Sequence, residues 1–106
     1  HGERIFDNST EFGRNLSWNA NDIKQQFEIP FWLYFTDAYC EKHPDIVETA
    51  ISVSNKRYMT DILSHTLINL AGIRSKYYQP RYDILNLAYH EKRKRIIRNQ
   101  RDFDTI

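Results

Sequence analysis

The most apolar stretch of the chain is residues 29–36, with the sequence IPFWLYFT. A short, aromatic-rich and nearly continuous apolar run is typical of a strand covered on both faces, as in a parallel α/β sheet. Pro30 stands near its start, where a missing N–H is tolerated. A buried helical segment is the alternative. We therefore predict one core parallel strand over residues 29–36.

Two helices are predicted to follow this strand. Pro44 suits the first position of a helix, and Asp45 in its first turn favours the helix dipole. The clearest amphipathic pattern covers residues 60–72, with Thr60 as N-cap and Gly72 at the left-handed C-terminal position. Single helical turns are also predicted at residues 21–27 and 38–42.

The two ends of the chain are more polar than the middle. Residues 1–28 are turn-rich and predict a long loop, although Phe12 and Trp18 need somewhere to pack. Residues 91–101 are basic around two isoleucines and predict either a short edge strand or a helix, which periodicity does not decide. The predicted fold class is α/β, with a loop at 1–28 and strand, helices and tail at 29–106.

Composition narrows the function classes. A chain of 106 residues suits one small domain, and a net charge of +1 creates no long-range field that would gather nucleic acid or anionic membrane. The single Cys40 excludes an internal disulfide and a multi-cysteine zinc site. The chain opens on His1 without methionine or a signal-peptide pattern, so we expect an N-terminus made by processing or cutting.

The tripeptide HGE at residues 1–3 is the first candidate for chemistry. An imidazole can coordinate a metal while Gly2 lets the backbone turn beside the ion. A solvated terminal histidine or a cloning remnant is the alternative reading of His1. The other three histidines have no ligand at a recognised spacing and are predicted to be packed or surface side chains: His43, His65 and His90.

The basic run at residues 92–101 is the main rival signal. Its six cationic side chains could contact phosphates, with Tyr82 and Tyr89 available for stacking. The balanced net charge, and Asp102 and Asp104 directly after the run, favour a solvated edge strand instead.

Four motifs appear in order along nearly the whole chain: HGERIFD at 1–7, EIPFWL at 28–33 with TDAY at 36–39, TDILSHTL at 60–67 with LAGI at 70–73, and YDILN at 82–86. This series resembles the C-terminal part of the sulfatase-like phosphoethanolamine transferases of the alkaline phosphatase superfamily. His1 resembles the histidine of that family's Asp-His-Gly-Glu metal motif, with the aspartate cut away.

The resemblance implies a membrane-anchored parent enzyme with a catalytic domain on the periplasmic face of the bacterial inner membrane. A zinc-bound threonine would accept phosphoethanolamine from a phospholipid and pass it to lipid A or another surface glycan. The nucleophile and the acidic zinc ligands would lie upstream, in the rest of the same catalytic domain. We therefore expect this segment to be inactive alone and to associate with itself through the uncovered strand.

Within the segment, the resemblance assigns a zinc ligand to His1 and no catalytic residue. The family often carries a second histidine about a dozen positions after the metal motif, where this loop has Arg14. A guanidinium there could grip phosphate or sulfate bidentately but cannot bind metal. A sulfatase remains an alternative for the parent enzyme. A stand-alone module that binds nucleic acid or protein through the basic tail is the alternative from another class.

Overall fold

A computed structural model describes residues 4–5, 12–13, 20–98 and 100–106. These residues belong to two compact units, His1–Tyr34 and Phe35–Ile106. Among them, no helix combines the length and the apolar character that crossing a membrane requires.

The first unit contains a short hairpin and one helix. Strand β1 (Arg4–Ile5) pairs antiparallel with β2 (Phe12–Gly13), within the region predicted as loop. Helix α1 (Ala20–Phe27) confirms the predicted helical turn and extends it by one residue at its start. It buries Ile23, and the Gln26 side-chain amide donates to the Asp22 carbonyl at 3.1 Å.

The predicted strand at residues 29–36 does not form in this chain. Residues 28–36 belong to neither helix nor strand, and none of the described strands pairs with them. A strand exists only through hydrogen bonds to a neighbour, however suitable its side chains are. Trp32 and Tyr34 are 77% and 78% exposed as a result. The parallel sheet therefore stays a prediction.

The second unit is built on three helices: α2 (Asp37–Lys42), α3 (Pro44–Ser52) and α4 (Ile62–Leu70). The predicted turn at 38–42 and the predicted start of α3 at Pro44 are confirmed. At the start of α2, the Thr36 hydroxyl accepts a hydrogen bond from the Tyr39 amide at 3.2 Å.

The sequence prediction is wrong by one residue at the start of α4 and is confirmed at its end. The N-cap residue is Asp61 rather than Thr60. It forms no side-chain capping hydrogen bond, because its backbone is helical rather than extended, and its carboxylate is bound by Arg93. Gly72 has a φ of 65°, as predicted. The Gly72 and Ile73 amides donate to the carbonyls of the last helical turn at 3.0 and 3.1 Å, which is the Schellman arrangement.

The core of the second unit lies between these helices and the segment after them. Its buried members are one residue of α4 and three from the following segment: Ile62, Ile84, Leu85 and Tyr89. Partly buried side chains of α3, of the segment after it and of α4 pack against these four residues: Ile46, Ala50, Val53, Tyr58 and Leu70. A 3₁₀ turn at Pro80–Tyr82 leads the chain from the end of α4 back to this core.

The basic C-terminal region forms a hairpin, so the strand alternative is confirmed and the helix alternative is wrong. Strand β3 (Ile96–Ile97) pairs antiparallel with β4 (Arg101–Asp102), and a 3₁₀ turn at Phe103–Thr105 follows. Ile97 is buried, and Arg98 begins the connecting turn with a φ of 49°. Only one side chain of the two-residue strand β3 is buried, which explains why a periodicity argument could not decide the region.

Candidate functional site

Both site residues named from the sequence, His1 and Arg14, lie outside the described residues. Within the described part of the chain, no group of three histidine, cysteine, aspartate or glutamate side chains is placed to hold a metal ion. The predicted zinc ligand and the predicted phosphate-binding arginine therefore both stay predictions.

The three described histidines do not converge. His43 is exposed between α2 and α3, with its ring 4.6 Å from that of Tyr39. His90 is exposed after the core segment, whereas His65 is half-buried on α4. These positions agree with packed or surface roles.

Two arginines of the basic tail, Arg93 and Arg95, are bound to carboxylates of the same chain. Arg93 donates two hydrogen bonds to Asp61, one of them at 2.7 Å. Arg95 Nε donates to both carboxylate oxygens of Asp104 at 3.1 and 3.2 Å, and Arg57 pairs with the same carboxylate at 3.2 Å. The Arg95 hydrogen bond holds the pKa of the Asp104 carboxyl below its usual value. The charges of Arg93 and Arg95 are thus neutralised by carboxylates of the same chain.

Tyr89 is not available for stacking, contrary to the sequence-based expectation. It is 8% exposed, and its hydroxyl donates to the Arg57 carbonyl at 2.6 Å. Burial raises the pKa of this phenol. Tyr89 therefore fixes the loop after α3 to the core.

Tyr82 lies at the centre of a cluster of cationic and aromatic side chains. The guanidinium carbons of Arg81 and Arg93 are each 4.9 Å from the centre of its ring. The His65 ring stacks on it at 5.6 Å with an interplanar angle of 29°. We call Arg81, Tyr82, His65 and Gln79 the Tyr82 cluster.

Gln79 orients two members of this cluster. Its backbone amide donates to His65 Nδ1 at 3.0 Å, and its side-chain oxygen accepts from Arg81 Nε at 3.2 Å. With Nδ1 acting as acceptor, a neutral imidazole carries its proton on Nε2, which is then a donor. Sequence reasoning missed this arrangement, because His65 and Gln79 are fourteen positions apart.

The residue directly after Tyr82, Asp83, is a buried carboxylate. Asp83 is fully buried and accepts hydrogen bonds from Asn69 Nδ2 at 2.7 Å, from the Tyr78 hydroxyl at 2.5 Å and from the Leu85 amide at 2.9 Å. Asn86 Nδ2 donates to the Tyr78 hydroxyl at 3.3 Å. Burial, followed by the hydrogen bond to Asp83, raises the pKa of Tyr78. All the donors that Asp83 binds belong to the same chain, so the hydrogen-bond network around Asp83 is structural.

Comparison with protein-family models, with curated proteins and with solved structures finds no match in any of the three. The described geometry offers two tail arginines bound to carboxylates, a structural carboxylate and the Tyr82 cluster, whose donors suit anions.

Proposed function

We propose that this chain is the C-terminal part of a zinc-dependent phosphoethanolamine transferase, inactive by itself. The parent enzyme transfers phosphoethanolamine from a phospholipid to lipid A or another surface glycan at the periplasmic face of the bacterial inner membrane. The ordered motif series supports the proposal: four segments in the family's order are distributed over residues 1–86.

The structural observation that carries the proposal is the exposure of apolar side chains that a self-sufficient domain would bury. Trp32 and Tyr34 are more than three-quarters exposed in the segment whose pattern predicts a core strand. An exposed aromatic run of this kind is expected when the neighbouring strands of its sheet belong to another part of the protein.

Helix α4 supports the same conclusion independently. It buries Ile62 and Thr66 against the core of the second unit, whereas Leu63 and Leu67, one helical turn apart, are 45% and 50% exposed. A helix that is apolar on more than one side is typical of a position between two packed layers. In the proposed enzyme the rest of the catalytic domain covers Leu63 and Leu67.

The described residues do not assemble a zinc site. One histidine cannot close a tetrahedral site, so in the proposed enzyme His1 shares the ion with acidic groups and a nucleophile supplied upstream. Arg14 remains the candidate for gripping the transferred group, since a guanidinium matches phosphate oxygens bidentately.

The alternative of a nucleic-acid-binding module is disfavoured by the tail itself. Arg93 and Arg95 are bound to carboxylates, and Tyr89 is buried. This alternative would be restored if the chain bound a labelled oligonucleotide with an affinity that falls steeply with added salt. The affinity would also have to fall when the charges at Lys92 and Lys94 are reversed.

The upstream reading frame provides the first test. We expect an aspartate codon directly before His1, with a threonine-bearing segment and hydrophobic spans further upstream. A non-carboxylate residue at that position would remove the enzyme assignment. The assayed substrate separates the two enzyme classes: an intact protein that cleaves aryl sulfates but transfers no phosphoethanolamine would be a sulfatase.

The isolated chain provides the second test. With zinc added, we expect no phosphatase, sulfatase or transferase turnover and only weak zinc binding in equilibrium dialysis. Turnover by these 106 residues alone would show that the active site is complete within them and would contradict the proposal.

A further inference from the structure

We propose that Arg81 and His65, held together in the Tyr82 cluster, form a binding site for a phosphate-type anion. The inference goes beyond the proposed function, because it needs neither zinc nor a nucleophile. It concerns residues of the second unit alone.

The surroundings of the cluster favour an anion. From Ile62 to Tyr82 the sequence contains three cationic side chains and no aspartate or glutamate: Arg74, Lys76 and Arg81. The acidic side chains on either side of this segment are already engaged: Asp61 accepts from Arg93, and Asp83 is fully buried and accepts from Asn69 and Tyr78. Among the described residues, no carboxylate forms an ion pair with Arg81.

The two arginines that lie on the Tyr82 ring, Arg81 and Arg93, differ in this respect. Arg93 lies on the same Tyr82 ring, but its guanidinium already donates two hydrogen bonds to Asp61. Arg81 gives only its Nε to a neutral partner, the Gln79 side chain. Its terminal nitrogens are the donors with which a guanidinium takes up phosphate oxygens.

The site is preorganised by short-range contacts. Gln79 holds His65 through its backbone amide and Arg81 through its side chain, and the Tyr82 ring lies against both. The His65 ring and the Arg81 guanidinium are thus fixed by the same two neighbours, so their remaining donors, Nε2–H and the terminal nitrogens, need little further ordering. Side chains that lose little conformational freedom on binding give a small anion a higher affinity.

The test uses the 106-residue chain, isotopically labelled, in an NMR titration with inorganic phosphate at constant ionic strength. We expect saturable shifts of the His65 imidazole and Arg81 Nε–H resonances, and no such shifts with chloride. Arg81→Gln should weaken phosphate binding by about tenfold or more, since a hydrogen bond to a charged group contributes on that scale.

Arg74→Gln is the matched control, because it removes the same charge from the same loop outside the cluster; it should leave phosphate affinity unchanged. Since Arg81 packs on Tyr82, Arg81→Lys serves as a second variant that keeps the charge and loses the planar fork, and it should also weaken binding. Chloride shifts equal to those of phosphate, or equal losses in Arg74→Gln and Arg81→Gln, would overturn the proposal.

A second arm identifies the source of the anion. Dispersed short-chain phosphatidylglycerol replaces inorganic phosphate in the same titration. Tighter binding of the lipid, still sensitive to Arg81→Gln, assigns the site to a lipid headgroup. Equal binding of both assigns it to free phosphate groups, and binding of neither overturns the proposal.

Discussion

Replacing Asp83 with asparagine should strongly destabilise the second unit. The substitution keeps the shape of the side chain and exchanges one carboxylate oxygen for an NH₂ group. That oxygen, Oδ2, accepts from both Asn69 Nδ2 and the Tyr78 hydroxyl. After Asp83→Asn, a donor group faces two donors in a place without water access, because Asp83 is fully buried.

The expected loss follows from these contacts. The Tyr78 hydroxyl can rotate to accept from the new amide, but the Asn69 amide is then opposed unless it flips. Two hydrogen bonds to a charged acceptor contribute about 1.5–3 kcal/mol each, and neutral replacements recover only part of this. The Leu85 amide keeps its acceptor, Oδ1. We therefore expect a decrease of about 2–4 kcal/mol in the free energy of unfolding.

Urea denaturation followed by far-ultraviolet circular dichroism measures this loss. Asp37→Asn is the matched control: it makes the same atomic change at an exposed position in the first turn of α2 and should cost less than about 1 kcal/mol. In the Asp83→Asn background, Tyr78→Phe should cost less than it does alone, because the shared hydrogen bond is already altered. A loss for Asp83→Asn no larger than that of the control would refute the assigned network.

Three further outcomes are expected. The Arg95 guanidinium lowers the pKa of the Asp104 carboxyl, so this pair stabilises the tail above about pH 4 and its contribution is lost as the pH falls through the lowered value; Asp104→Asn should remove that acid dependence from the hydrogen-exchange rates of tail amides. Tyr89→Phe should lower the free energy of unfolding by about 1 kcal/mol, and because burial raises the pKa of Tyr89, an alkaline absorbance titration of this variant should lose a late-ionising component; an unchanged titration curve would contradict the burial. Trp32→Ser should reduce concentration-dependent self-association in sedimentation velocity, whereas Tyr77→Ser, at a position 71% exposed in the other unit, should not; a monomeric unmodified chain at high concentration would count against the uncovered-strand explanation.

Local sequence signals predicted the helices of the second unit well. Pro44 begins α3, and Gly72 takes the left-handed conformation that ends α4. Both residues act through their own backbone preferences, which are independent of the rest of the chain. Elements that depend only on near neighbours are those that periodicity and end signals can find.

Features that depend on distant residues were missed or misjudged. Thr60 was the predicted cap of α4, but the helix starts after Asp61, whose carboxylate is taken by Arg93 thirty-two positions later. The same pairing leaves Arg93 less available to an outside partner than the sequence suggests. Residues 29–36 have the composition of a strand, yet a strand needs a partner that no spacing rule supplies.

The candidate site likewise contains some residues that the sequence identified and others that only the structure shows. His1 and Arg14 were named from a motif and lie outside the described residues. The contacts of His65 and Arg81 with Gln79 and Tyr82 had no sequence signal, because a turn at Pro80–Tyr82 and the end of α4 must both be in place before these side chains meet.

The proposed role of His1 is that of a zinc ligand in a phosphoethanolamine transferase. Its most direct test is the mass-spectrometric detection of phosphoethanolamine added to lipid A by the intact protein, with zinc content measured alongside. We expect His1→Ala to lose both transfer and bound zinc, and His43→Ala, an exposed histidine of the second unit, to keep both. Equal activity and zinc content in the two variants would contradict the proposed role of His1.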